Sequence, residues 1–273
     1  MARFHLNPQA RRWLRSPSLG DGLDAVDGGG GGADWDTWVL GRMAAWALLD
    51  VGGVLVDRAV VDQRFRCVPG RCVPRRGRGR LRSCCADLDV ALTAAEANRL
   101  RRHTRRLWRW LARREPRLGR LPEVPEGPGG PGVPGVPEVP GVPEVLGGRP
   151  FWLAADSGHL SRPGGRCVFS ALDGQGRIRC HLYGYARAHD VDRCEVQPLP
   201  CRLFPLILVE APNGGVVLTT LYGRTTRLVG TFPVSRFPCL ADPSHGPALR
   251  SLSGDLDWLF GPGFARALRL FRR

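Results

Sequence analysis

Nine cysteines are the residues of this chain whose type and spacing could do chemistry. Cys67 and Cys72 stand in a Cys-x4-Cys spacing, and the adjacent pair Cys84-Cys85 follows. Cys167, Cys180, Cys194 and Cys201 form a later run, and Cys239 stands alone nearer the C-terminus. Four intervening residues let two thiolates converge on one ion at about 2.3 Å, as zinc requires. An odd number of cysteines cannot all be consumed by disulfides. A chain of 273 residues can bury a core that needs no covalent staples. The expected chemistry is thiolate metal binding, for which zinc and an iron–sulfur centre are equally suited. The alternative for any single cysteine is a small buried hydrophobe.

The neighbours of these cysteines point the same way. Arginine immediately precedes Cys67, Cys72, Cys167, Cys180 and Cys194, five of nine positions, where 40 arginines in 273 residues predict about 1.3. Four thiolates around a divalent ion carry a net charge of −2, and guanidinium groups nearby would offset it and lower the thiol pKa values.

The elements that must position these residues can be read in outline. Leu48–Val51 and Val54–Asp57 read as two short strands around Gly52-Gly53, with a helix over 38–49 as the alternative. Thr93-Ala94-Ala95-Glu96 is a capping box, and Leu100, Leu107 and Leu111 continue at helical spacing to about Arg114. Asp173-Gly174-Gln175-Gly176 reads as the turn of a hairpin whose arms carry Cys167 and Cys180 nearly opposite each other. A second hairpin joins LILVE to VVLTTLY, and one or two short helices are expected from Asp255 to Arg273. Cys201 lies in PLPCRLFP, where three prolines stiffen the chain.

The expected organisation is a flexible leader over 1–35 and a first part of a cysteine-cluster domain over 36–121. A Val-Pro-Glu/Gly spacer over 122–148 and a second part over 149–273 follow. The fold class is α+β, one cysteine-rich metal-binding domain of short strands, loops and a few helices, interrupted by the spacer.

Four strings carry a family resemblance: RFRCVPGRC, CCADLDVALTAAEANRL, RCVFSALDGQGRIRCHLYGYA and QPLPCRLFPLILVE. In order and content they resemble the YkgJ-type cysteine-cluster family, described as a zinc- or iron-chelating domain. The resemblance covers roughly 45–245. It implies Cys67, Cys72, Cys84, Cys85, Cys167, Cys180, Cys201 and Cys239 as metal ligands, with Cys194 the one cysteine lacking a counterpart. The chain departs from the pattern in the eleven residues between Cys72 and Cys84, where the family has about three, and in Gln197 where it often has Lys. One branch of the family is similar to flagellin lysine methylases, so a protein methyltransferase is one alternative function, although no cofactor loop for methyl transfer stands in this sequence.

The formal net charge of +15 offers a further alternative, a nucleic-acid-binding protein with a structural metal. Every basic residue is arginine, a bias that genome composition alone can produce, and nucleic acid is not the favoured partner. The helix of Leu100 and Leu107 carries Trp108 and Trp110, which read as core-facing with solvated arginines outside. His159 and His181 are lesser ligand candidates. No G-x-S-x-G elbow accompanies Asp156-Ser157-Gly158-His159, which argues against a hydrolase. The most apolar stretch, 38–56, is interrupted by Arg42, Asp50 and two glycines and is a poor membrane span. No apolar signal core follows the basic N-terminal string, so the expected compartment is the cytoplasm. The expected function is thus a metal-binding cysteine-cluster protein, an accessory or redox factor.

Overall fold

Two glycines allow the first hairpin. Gly52 and Gly53 adopt φ of 61° and 95°, a left-handed backbone that costs glycine little, and they turn the chain between β1 (Leu48–Val51) and β2 (Val54–Asp57). The structure is a computed structural model and describes residues 3–8, 10–11, 47–68, 71, 83–88, 90, 92–114, 151–154, 159–210, 215–222 and 234–272. The elements after β2 run in chain order. They are α1 (Arg58–Asp62), α2 (Cys84–Asp87), α3 (Ala94–Ala112), β3 (Ser170–Leu172), β4 (Ile178–Cys180), α4 (His181–His189), α5 (Arg193–Val196) and α6 (Leu199–Leu203). There follow β5 (Leu206–Glu210), β6 (Val216–Thr220), α7 (Pro238–Ala241), α8 (Ala248–Ser251), α9 (Ser253–Phe260) and α10 (Phe264–Arg269). Helices beside a mixed sheet make the fold α+β. The spacer over 122–148 and Cys72 lie outside the described residues.

The described chain forms two compact units, one drawn from Met1–Val68 and Leu199–Arg273, the other from Ser83–Pro198. The first is built on a four-stranded sheet of order β1-β2-β6-β5. β1/β2 and β5/β6 are antiparallel hairpins, and β2 runs parallel to β6 with Leu55 opposite Val217. Every residue of β6 is buried, which fits a central strand of unbroken β-branched and apolar character. Asp57 ends β2 inside this unit. Its carboxylate accepts from Ala59 N at 2.9 Å, from Thr219 Oγ1 at 2.8 Å and from Tyr222 Oη at 2.8 Å, so one buried anion caps α1 and ties it to β6. The leader expected over 1–35 is corrected at its start: Phe4 N donates to Gly52 O, Asn7 N to Leu259 O, and Ala10 is fully buried. Apolar residues at 4, 6 and 10 have a sheet edge and the α9–α10 pair to cover.

The second unit is organised by α3. Thr93 Oγ1 accepts from Glu96 N at 3.1 Å while Glu96 Oε2 accepts from Thr93 N at 3.0 Å, the reciprocal capping box that the sequence spells. Leu100, Thr104, Leu107 and Leu111 are buried along one side, and Trp152 Nε1 donates to Thr104 Oγ1. Trp108 meets Phe151 edge-on at 5.1 Å, and Trp110 meets Tyr185 and His189. Both tryptophans therefore pack inward, as the helical spacing implies.

Candidate metal centre

Each cysteine of the second unit is placed by its own local device. Ser83 is the N-cap of α2, accepting from Ala86 N at 3.1 Å, while Asp87 Oδ2 takes Ser83 N at 2.9 Å. This clamp presents Cys84 and Cys85 on the first turn of α2, with their sulfurs 3.9 Å apart. Cys167 is fastened to that pair through the backbone, its N donating to Cys85 O at 2.8 Å. Arg162 Nη2 donates to Ala86 O at 2.6 Å and to Gly165 O at 3.1 Å, holding the loop before Cys167 against the end of α2. Ser170 closes that loop from the other side, with N and Oγ both donating to Cys167 O.

Cys180 enters from the hairpin β3/β4, where it pairs with Ser170. It is the N-cap residue of α4, where the amides of Leu182 and Tyr183 help to lower its pKa although its side chain makes no cap hydrogen bond. Cys85 has its sulfur 3.9 Å from that of Cys84 and perturbs the Cys180 thiol. Cys84, Cys85 and Cys180 thus act on one another electrostatically in the second unit, and Cys180 and Cys84 also act on Cys167. Cys84, Cys85 and Cys180 are half-buried and Cys167 is buried.

The electrostatics follow from one proton shared in a cramped space. Hydrogen bonds with Cys180 and Cys84, then burial, push the Cys85 thiol well above its ordinary value, so it stays protonated and donates. Receiving that bond lowers Cys180 to about 7, with help from the α4 amides and Arg193. The separate hydrogen bond between Cys85 and Cys84 lowers Cys84. Burial, then the neighbouring Cys180 charge, raises Cys167 to about 12. The group holds one negative charge comfortably and resists more without a cation, because each further thiolate would face another within a few ångströms.

Two expectations need correction here. Cys167 does not lie opposite Cys180, because the strands pair only over Ser170–Leu172 and Ile178–Cys180 and α4 begins at His181. The two meet instead because the loop at Ser170 turns Cys167 back toward α2. Nor does the arginine preceding Cys180 serve it. Arg179 points to the other face of its strand and pairs with Asp173 at 3.4 Å, as strand alternation requires. Cations acting on these thiols are Arg193 on Cys180, thirteen residues on, and Arg162 on Cys167, five residues before it, neither of them immediately adjacent.

The first unit carries three more described cysteines, Cys67, Cys201 and Cys239. Phe204 meets Phe65 at 6.1 Å and Phe237 at 5.5 Å, and Cys67, Cys201 and Cys239 each lie two or three residues from one of these rings. Arg66 N donates to Cys239 O at 3.3 Å, which joins the Cys67 segment to α7. Cys201 is half-buried on α6, Cys239 buried on α7 and Cys67 exposed. Cys194 sits half-buried on α5, where its N donates to Asp192 Oδ1, rather than on an exposed loop. His181 is buried at the start of α4.

Among the described residues, no group of three or more His, Cys, Asp or Glu side chains is arranged as a ready metal shell. The donor set nevertheless fits a tetrahedral thiolate site on one point of geometry. Four sulfurs at about 2.3 Å from one ion lie about 3.8 Å from each other, and Cys84 and Cys85 already stand 3.9 Å apart. No helix of the described residues is long and apolar enough to cross a membrane. No family model, no curated protein and no solved structure matches the chain.

Proposed function

We propose that this is a metal-binding cysteine-cluster protein whose Ser83–Pro198 unit holds one zinc ion with Cys84, Cys85, Cys167 and Cys180. The observation that carries the reading is the 3.9 Å spacing of Cys84 and Cys85, with Cys167 tied to Cys85 by a backbone hydrogen bond and Cys180 electrostatically coupled to the pair. One buried and three half-buried thiols repel one another when ionised, and a cation would neutralise them. The 3.9 Å spacing of Cys84 and Cys85 suits two thiolates on one metal and favours a single ion over a four-iron cluster, which takes one thiolate per iron.

When bound, zinc would supply charge neutralisation and a cross-link between α2, the loop before β3, and the start of α4. Arg193 and Arg162 temper the excess negative charge of four thiolates. Cys67, Cys201 and Cys239 of the first unit remain ligand candidates, and Cys72 is expected as a ligand from the Cys-x4-Cys spacing alone. The likeness to the YkgJ-type family supports the same eight residues. The role is structural or accessory.

Metal analysis of cysteine variants tests this. With one thiolate fewer, Cys85→Ser, Cys167→Ser and Cys201→Ser are expected to hold metal in excess zinc but to lose it on dialysis against a chelator, whereas Cys194→Ser keeps full stoichiometry. Equal loss in the Cys194 and Cys167 variants would contradict the ligand assignment.

A further inference from the structure

The exposed side of α3 has a charge pattern that the metal reading does not use. Arg102, Arg105, Arg106, Arg109 and Arg113 are all exposed. At about 100° per residue they fall within an arc of about 100° around the helix. Leu100, Thr104, Leu107 and Leu111, which are buried, point the opposite way. The arginines are therefore a stripe, not a scatter, and they extend for about 16 Å along the axis.

Ion pairing leaves most of this stripe unneutralised. Arg102 pairs with Glu195 at 2.8 Å, and among the described residues Arg105, Arg106, Arg109 and Arg113 carry no ion pair. Some other surface arginines are paired: Arg177 and Arg179 share Asp173, and Arg58 faces Asp62. Holding four guanidinium groups along one line costs self-repulsion, which an anionic partner would relieve.

Beside the last turns of the stripe lies an aromatic group. Trp110, Tyr185 and His189 contact each other, with Trp110–His189 centroids 5.3 Å apart, and His189 is exposed. Tyr185 Oη lies 3.5 Å from His103 Nδ1. Arg114 stacks on Trp110 at 3.4 Å. Tyr185 is buried and Arg114 lies over the half-buried Trp110, so His189 is the ring of this group that reaches solvent beside the line of guanidinium groups, a pairing that suits a phosphate with its base.

We propose that the α3 stripe binds the sugar–phosphate backbone of single-stranded nucleic acid, with Arg105, Arg106, Arg109 and Arg113 on phosphates and the exposed His189 edge available to a base. The 16 Å length matches a short tract of a few nucleotides, so affinity comes from charge and is modest and salt-dependent. This inference stands apart from the zinc reading, since the stripe is held by the buried leucines of α3.

The experiment is fluorescence anisotropy of a labelled 20-nucleotide oligothymidine titrated with the full-length protein at several salt concentrations. Four phosphate contacts predict a slope of log K against log salt of about −2.8, and R105A/R106A/R109A should reduce its magnitude by about 2. The triple variant should bind at least about tenfold more weakly at 50 mM salt. A control triple, R250A/R266A/R269A, removes the same charge from exposed positions of the other unit and should keep the wild-type slope. Equal loss in the two triples would overturn the proposal, because net charge alone would then explain binding. So would competition by polyglutamate as effective as competition by unlabelled oligothymidine, or preference for a duplex of the same length. Zinc content measured on the same samples should be unchanged in the α3 triple; its loss would mean a damaged fold, and R105K/R106K/R109K, which keeps the charge, would then have to restore both zinc and binding.

Discussion

Replacing Cys167 by Ser should cost stability that depends on zinc. The bound ion closes two loops through this residue, from Cys85 to Cys167 over 82 positions and from Cys167 to Cys180 over 13. Chain-entropy reasoning for cross-links gives about 4.5 and about 2.9 kcal/mol for these closures. Without Cys167 the ion closes only one loop, from Cys85 to Cys180 over 95 positions, worth about 4.7 kcal/mol. The difference, about 2.7 kcal/mol, is the part of the loss that belongs to zinc. A serine hydroxyl at a position only 8% exposed adds about 1 kcal/mol whether or not metal is present. The expected destabilisation is therefore about 4 kcal/mol with zinc and about 1 kcal/mol after chelation. Urea denaturation followed by Trp fluorescence reads both, since Trp108, Trp110 and Trp152 lie in this unit. An equal loss with and without chelator would refute the reasoning, because Cys167 would then be no more than a buried thiol.

Exchanging residues 122–148 for a short Gly/Ser linker should leave melting temperature and metal content nearly unchanged. Shortening the 82-residue closure even to 55 alters it by only about 0.4 kcal/mol, and a large loss of either quantity would show that the segment packs on the fold. A pH prediction concerns the chelated protein. Its Cys180 thiol, lowered to about 7 in the fold by the bond from Cys85, contributes stability that is present above the unfolded value near 9 and lost as pH falls through 7. Cys180→Ser should flatten the stability profile of the chelated protein between pH 9 and pH 7, and an unchanged profile would remove Cys180 from the thiol network.

The sequence was legible where local chemistry decides structure. The strands Leu48–Val51 and Val54–Asp57 match residue for residue, because two glycines between alternating apolar residues admit few alternatives. The helix after Thr93 starts where the capping box places it, and LILVE pairs with VVLTT as read. The C-terminal stretch resolves into α9 and α10 around Gly261 and Gly263, both at positive φ. Tertiary contacts were not legible. A hairpin turn suggested that Cys167 faces Cys180, but only three residues pair on each arm, and a serine-closed loop decides where Cys167 goes. The arginine before each cysteine looked like its counter-ion, yet strand alternation turns Arg179 to Asp173 and leaves the work to Arg193. The packing of Phe4 and Ala10 had no local signal at all, since it depends on the sheet and on α10.

Metal content, the visible spectrum and X-ray absorption of protein purified without oxygen test the central claim most directly. The account predicts a colourless protein with at least one tightly held zinc ion and an absorption fine structure dominated by four sulfurs at about 2.3 Å. A metal-free protein with fully titratable thiols, or a brown one with iron and inorganic sulfide, would contradict it.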